Sequence, residues 1–262
     1  MVSLMTGREG KGGRRGVRRY WPALAGAILI MSGCAGQQTM ERNPDDPWEG
    51  FNRRVYTFND ALDRAVLKPV ARGYVAITPE PVQSGVGNFF SNLGEIRTTL
   101  NSLLQGKPAN AGRSGGRFII NTTLGVGGLF DVATRMDITA REEDFGQTLG
   151  VWGLGEGPFL MLPLLGPSTV RDTGGLPFDM ATYPTTYIED DAVRYSLLAL
   201  RVIDLRAGLL EQEDLISGDR YAFIRDTYLQ RRRFEVSDGE LGDDPFASDD
   251  YEFDYDDDAF AE

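Results

Sequence analysis

The chain has 262 residues, a formal net charge of −12, one cysteine and no histidine. Histidine-dependent triads, histidine-bearing metal sites and internal disulfides are excluded by that inventory alone. Residues 1–33 carry +5 and residues 235–262 carry 13 acidic side chains with no Lys or Arg, which leaves −4 on the body between them. No basic surface of the kind nucleic acid requires is evident.

The leader sets Lys11, Arg14, Arg15, Arg18 and Arg19 ahead of the apolar run Tyr20–Cys34, YWPALAGAILIMSGC. A charged region, an apolar region and small residues before a cleavage point read as an export signal over 1–33. The run is too short to span a hydrocarbon core, which needs ~20 residues. Met31-Ser32-Gly33-Cys34 resembles a bacterial lipobox, with Met in place of the more usual Leu. An ordinary secretory signal followed by a free thiol is the alternative. A single unpaired cysteine in an exported chain favours lipidation of Cys34. A diacylglyceryl group plus an amide-linked chain would hold stably, where one acyl chain holds only marginally. Ala35-Gly36 follow the cysteine, as in lipoproteins sorted to the outer membrane, and residues 34–42 read as a polar tether.

The mature body opens on Asp46-Pro47-Trp48-Glu49, a helix start with Asp46 as cap, Pro47 in the first turn and Glu49 reaching back. Trp48, Phe51, Val55, Phe58, Leu62 and Ala65 form one apolar face, and Pro69 is expected to end the helix. A second helix is expected over Pro81–Gln105, with Val82, Val86, Phe89, Leu93, Ile96, Leu100 and Leu103 on one side. Ser84, Asn88, Ser91, Asn92, Glu95 and Thr98 occupy the other. That pattern fits a core-packing helix of a soluble domain or a helix lying along a membrane interface. The scarcity of Lys and Arg on its polar side favours the first.

RFIINTTLG and VGGLFDVATR follow, with Gly125, Gly127 and Gly128 marking close approach or positive φ rather than a phosphate loop, since no Lys-Ser/Thr follows. Glu142, Glu143 and Asp144 read as a solvated acidic turn. Gly150, Gly153, Gly155 and Gly157 then lead into FLMLPLL, where Pro163 argues against a long helix or a central strand. The expectation is a glycine-hinged hairpin or loop whose apolar arm, Phe159–Leu165, buries on a core or lines a greasy passage. Ser168 reads as the cap of a short helix closed by Gly174-Gly175. A long helix from Asp190-Asp191 to Gly208 and a final one over Asp219–Arg233 complete the body. The cluster Arg231–Arg233 faces either the helix dipole or lipid headgroups. The acidic stretch 235–262 reads as disordered.

Several stretches match one known family in the right order. They are DPWEGFNR with the following Phe58-Asn59, NSLLQG at Asn101–Gly106, RFIINTTLGVGGLFDVA, and DFGQTLGVWGLGEGPFLMLPLLGPSTVRDTGG. The chain thereby resembles the MlaA/VacJ outer-membrane lipoproteins of Gram-negative bacteria over about 43–234. The resemblance implies a mainly α, single ring-like domain in the periplasm-facing leaflet of the outer membrane, with an amphipathic channel. Phospholipid would pass from the outer leaflet to a soluble periplasmic carrier, beside a trimeric porin and with no cofactor. It further implies that Gly153, Gly155 and Gly157 hinge a loop whose arm is Phe159, Leu160, Met161, Leu162 and Pro163. By the same resemblance Phe51, Asn52, Phe58 and Asn59 would form a first-helix motif, within which Phe58-Asn59 would influence channel state.

Two rivals compete with the conduit. A scaffolding lipoprotein that only accompanies a porin predicts that polar residues at Phe159 or Leu162 leave lipid asymmetry intact. A lipid hydrolase would have to use carboxylates such as Glu142, Glu143 and Asp144, yet no nucleophile–base pair is legible.

Overall fold

The computed structural model describes residues 43–211 and 218–239. The leader, Cys34, the tether and most of the acidic stretch 235–262 lie outside the described residues. Among the described residues eleven helical segments and one hairpin follow in order. Helix α1 (Glu49–Leu62) runs through a π-helical turn at Asp63–Leu67 into α2 (Lys68–Ile77). Then come α3 (Glu80–Leu104), α4 (Pro108–Thr123), the short α5 (Val132–Arg135) and α6 (Phe145–Val151). Strands β1 (Phe159–Leu162) and β2 (Gly166–Thr169) precede α7 (Val170–Thr182), a 3-10 turn at Pro184–Tyr187, α8 (Asp191–Gly208) and α9 (Arg220–Val236). The packing partners form a closed circuit: α2 lies on α8, α8 on α3, α3 on α6, α6 on α9, α9 on β2, and the hairpin returns to α1. The fold is the mainly α ring expected from the sequence.

Several local expectations are corrected. Pro69 does not stop the first helix, because the π turn just before it widens the ladder. There Lys68 N–H reaches back to Asp63 O, and the ring finds room that a regular turn would deny it. Asp46 does not cap α1, whose N-cap is Trp48 without a side-chain bond. Asp46 is instead buried, taking hydrogen bonds from Asn52 Nδ2 at 2.8 Å and from the Tyr221 hydroxyl. Thr169, not Ser168, caps α7 through the Asp172 N–H at 3.1 Å. The helix then continues through Gly174-Gly175. Gly175 meets α6 so closely that an added Cβ would lie 2.8 Å from Gly146 N, so these glycines serve a helix crossing and not a stop. Helix α9 runs past Glu235 to Val236, so the acidic stretch begins inside a helix.

The apolar core is small. Val55, Phe159, Met161, Tyr221 and Leu229 form it, with Tyr56, Ile224 and Tyr228 packed against it. Phe159 and Tyr221 meet edge to face with centroids 6.2 Å apart. Among the described residues, 10 apolar side chains are buried against 20 polar or charged ones, while 33 large apolar side chains are exposed. That balance inverts the usual partition between inside and outside.

The inversion runs helix by helix. On α3 the buried side chains are Phe90, Asn92, Glu95, Thr98, Asn101 and Ser102, whereas Val82, Leu100 and Leu103 are exposed. The polar stripe faces the protein, which overturns the core-packing reading of its apolar face. Facing it, α4 buries Asn110, Ser114, Arg117 and Asn121 at helical spacing. Helix α8 has no buried residue. It docks on the π turn through Arg206–Asp63 at 2.6 Å and on α2 through the Tyr74 hydroxyl on Asp204 at 3.1 Å, and Tyr195, Leu198, Val202, Leu205 and Leu209 make one exposed stripe.

Candidate functional site

Asn52 and Asn59 are seven residues apart on one side of α1, and both reach the hairpin. Asn52 Oδ1 accepts from Met161 N–H at 2.9 Å while its Nδ2 donates to Phe159 O at 3.0 Å. Asn59 Nδ2 donates to Leu162 O and its Oδ1 accepts from Leu164 N–H, each at 2.9 Å. Each amide thus presents a donor and an acceptor to β1 as a neighbouring strand would. The second one holds the turn at Leu164, a non-glycine residue at φ +67°. The structure therefore brings the two asparagines together with the apolar arm. Phe51 and Phe58 lie on the same helix but are exposed and point away from it.

The hairpin itself is an antiparallel pair with Phe159 opposite Thr169 and Leu162 opposite Gly166. Alternation sends Phe159 and Met161 into the core and leaves Leu160 and Leu162 half-buried on the other face, with Pro163 exposed at the turn. Phe159 and Met161 therefore belong to the apolar core. Before the hairpin, Gly153 and Gly157 sit at φ +92° and +66°, conformations that other residues reach only with strain. Gly155 has no such requirement.

Leu162 and Leu165 form part of the wall of a cavity of about 240 Å³ between α3, α6, α7, α9 and the hairpin. Leu176 and Pro167 add to its apolar lining, and Arg97, Asp144, Asp172, Asp179 and Arg232 supply its charged lining. Arg232 ties this side together. Its guanidinium donates to Asp172 at 3.0 and 2.9 Å and to Asp144 at 2.6 and 2.9 Å. Asp144 also caps α6 through Gln147 N–H at 2.9 Å, and the Tyr228 hydroxyl donates to Asp172 at 2.8 Å. Burial works to raise both carboxyls, but the hydrogen bonds and charge of Arg232 outweigh it and hold them below the ordinary range.

One sequence reading is corrected here. The Glu143-Asp144 pair is not a solvated turn, since Glu143 is buried and accepts from Gln105 Nε2 at 2.9 Å and Lys107 Nζ at 3.3 Å. The Arg231–Arg233 cluster, with Arg233 in the last turn of α9, also meets protein carboxylates. Arg231 pairs with Glu235, Arg232 with the aspartates, and Arg233 with Glu156 and Asp45. A further buried pair, Arg117 with Glu95, joins α4 to α3, and Arg117 also reaches Asp131 at 3.1 Å. Sequence reasoning missed Asp46, Arg117, Asp179 and the Asp144–Arg232–Asp172 group. The polar period Asn110, Ser114, Arg117, Asn121 was the one available signal.

Asp179 accepts from Phe145 N–H at 3.0 Å and from Asn101 Nδ2 at 3.5 Å. Burial, reinforced by the nearby charge of Asp144, pushes its carboxyl up to about 6. Because the fold favours its neutral form, a stability cost develops as pH rises from near 3.8 through about 6 and is complete above it. Asp179→Asn keeps an acceptor for Phe145 N–H and is expected to raise the melting temperature relative to the parent at pH 7 but not at pH 4. An equal shift at both pH values contradicts this.

Polar stripes turned inward, apolar stripes turned outward and a cavity lined by both apolar and charged groups define a protein that works against lipid. No described helix is long and apolar enough to cross a membrane. The chain belongs to the MlaA lipoprotein family, whose model matches residues 44–235. It is 38% identical over 227 residues to "Intermembrane phospholipid transport system lipoprotein MlaA" of Escherichia coli (strain K12), covering 84% of this chain and 89% of that protein. The protein of the same name in Haemophilus influenzae is 34% identical over 232 residues, covering 84% and 90%. A solved structure described under "Structural basis for maintenance of bacterial outer membrane lipid asymmetry" superposes with a TM-score of 0.63 at 38% identity. It covers 73% of this chain and 98% of that one.

Proposed function

We propose that this chain takes mislocalised phospholipid from the outer leaflet of the outer membrane and passes it through the amphipathic cavity toward the periplasm, so maintaining lipid asymmetry. Family membership supports intermembrane phospholipid transport as its activity. The observation that carries the mechanism is a cavity lined both by Leu162 and Leu165 and by Arg97, Asp144 and Asp179. Acyl tails need apolar surface and a charged headgroup needs polar partners, and an unsolvated charge would otherwise cost several kcal/mol. The outward stripes on α3 and α8 seat the ring among acyl chains. The glycine-flanked hairpin, held by Asn52 and Asn59, is the element that moves, and Leu162 is its lipid-facing residue.

The finer parts of this reading rest on the sequence. Cleavage after residue 33 and acylation of Cys34 anchor the chain through the 34–42 tether, and the body over 43–234 forms the channel. A trimeric porin is the neighbour in the membrane, a soluble periplasmic carrier takes the lipid, and the chain catalyses no reaction. Cells lacking the chain are expected to accumulate phospholipid in the outer leaflet, and the wild-type chain to remove it. Leu162→Gln, at a half-buried position that no core contact depends on, is expected to reach wild-type levels in the membrane yet fail to restore asymmetry. Full restoration by Leu162→Gln would favour the scaffold, and unchanged surface phospholipid on deletion would overturn the proposal.

A further inference from the structure

Most of the charge around the cavity is already spent. Arg232 is taken up by Asp144 and Asp172, Arg231 by Glu235, and Glu143 by Gln105 and Lys107. Three lining groups are left over. Among the described residues Arg97 makes no ion pair, and its Nε–H is buried with no acceptor. Asp179 takes two neutral donors, Phe145 N–H and the Asn101 amide, but no cation. Glu142 stands exposed on the rim. Arg97 lines the cavity without an ion-pair partner, and a lining guanidinium so placed points to an anionic acceptor brought by a ligand. The unspent inventory is therefore one cation and two anions beside an apolar wall.

A headgroup that is purely anionic satisfies Arg97 and is then repelled by Asp179 and Glu142. One that carries both a phosphate and an amine satisfies all three: phosphate on Arg97 through a charge-assisted bond, ammonium toward the carboxylates, tails along Leu162 and Leu165. The cavity's volume of about 240 Å³ corresponds to about eight waters at ~30 Å³ each, room for a phosphodiester with a short amine arm but not for two acyl chains, which stay outside against the apolar wall. We infer that the cavity selects phospholipids bearing a headgroup amine over anionic ones, with Arg97 as the phosphate contact and Asp179 and Glu142 as the amine contacts. This rests on the lipid-conduit reading above and goes beyond it by naming the headgroup class.

The test uses the full chain in nonionic detergent, titrated with dihexanoyl phosphatidylethanolamine and with dihexanoyl phosphatidylglycerol. The amine lipid is expected to bind about tenfold more tightly, a difference of about 1.4 kcal/mol. Glu142→Gln, at an exposed position whose loss leaves the melting temperature unchanged, is expected to narrow the ratio to about threefold or less by the loss of one carboxylate contact. Arg97→Gln is expected to weaken both lipids alike, since both carry the phosphate. Equal affinities, or a ratio indifferent to Glu142→Gln, overturn the headgroup selection and leave the conduit standing. No binding of either lipid to the wild-type chain overturns both.

Discussion

Arg232→Met is expected to destabilise the fold by about 3–5 kcal/mol, the cost of removing one partner from a buried ion pair and leaving the other behind. Arg232 is buried and binds Asp144 and Asp172 through both edges of its guanidinium, which fastens α9 to the starts of α6 and α7. Methionine fills the space of the stem but supplies no donors, so two carboxylates face each other across the cavity wall. Asp172 keeps Arg171 at 3.0 Å and Tyr228 at 2.8 Å, which limits the damage there. The pH dependence distinguishes lost charge from lost packing. In the parent, both carboxyls titrate below their ordinary range, so they contribute stability that is present above about pH 4 and fades as the pH falls through their depressed values. In Arg232→Met that acid-side loss is expected to disappear, and the two proteins should draw together in chemical unfolding as the pH falls below the ordinary carboxylate range. A constant difference across pH would mean that the arginine acts by packing alone.

Asn52→Leu is the second large effect expected. Leucine occupies nearly the same space but leaves Phe159 C=O and Met161 N–H unpaired inside the protein and withdraws a donor from Asp46. At about 1–3 kcal/mol for each group so stranded, the loss is expected to be at least about 3 kcal/mol. Backbone exchange should rise at Met161 in step with global unfolding. Asn59→Ala makes a useful contrast, since its bonds are only part-buried and hold the turn rather than the core. Exchange at the Leu164 amide is expected to rise severalfold there with little change in unfolding midpoint. If Asn59→Ala destabilises the whole protein as much as Asn52→Leu, the hairpin turn is not a separately mobile element.

Helix positions were largely legible because capping and breaking are local. Asp190 and Asp219 cap α8 and α9, accepting from Val193 N–H and Tyr221 N–H, and Gly208 closes α8. The hairpin was legible for the same reason: Pro163 and the preceding glycines forbid regular structure in that register. What failed was any inference that needed to know the solvent. A period of 3.6 residues says that α3 has two faces, not which one meets the protein. With Asn92, Glu95, Thr98, Asn101 and Ser102 buried and Leu100 and Leu103 exposed, the answer came out reversed. Pro69 and Gly174-Gly175 misled because a π turn and a close helix crossing are made by distant partners. The channel arm was read as one piece because alternation along β1 splits it only once the strand is known to be a strand. Arg232 with Asp144 and Asp172 could not be paired from sequence, since 88 and 60 residues separate them.

The inverted partition bears on how this protein responds to temperature. Heat capacity rises on unfolding mainly because apolar surface becomes hydrated, at about +0.45 cal/K/mol per Å², while newly wetted polar surface subtracts about 0.26. Here the side chains that unfolding would newly wet are mostly polar, such as Asn92, Glu95, Arg117 and Arg232, and the apolar stripes on α3 and α8 are already outside. The increment should therefore be small for a chain of this size, the stability curve broad, and cooling nearly harmless to the fold.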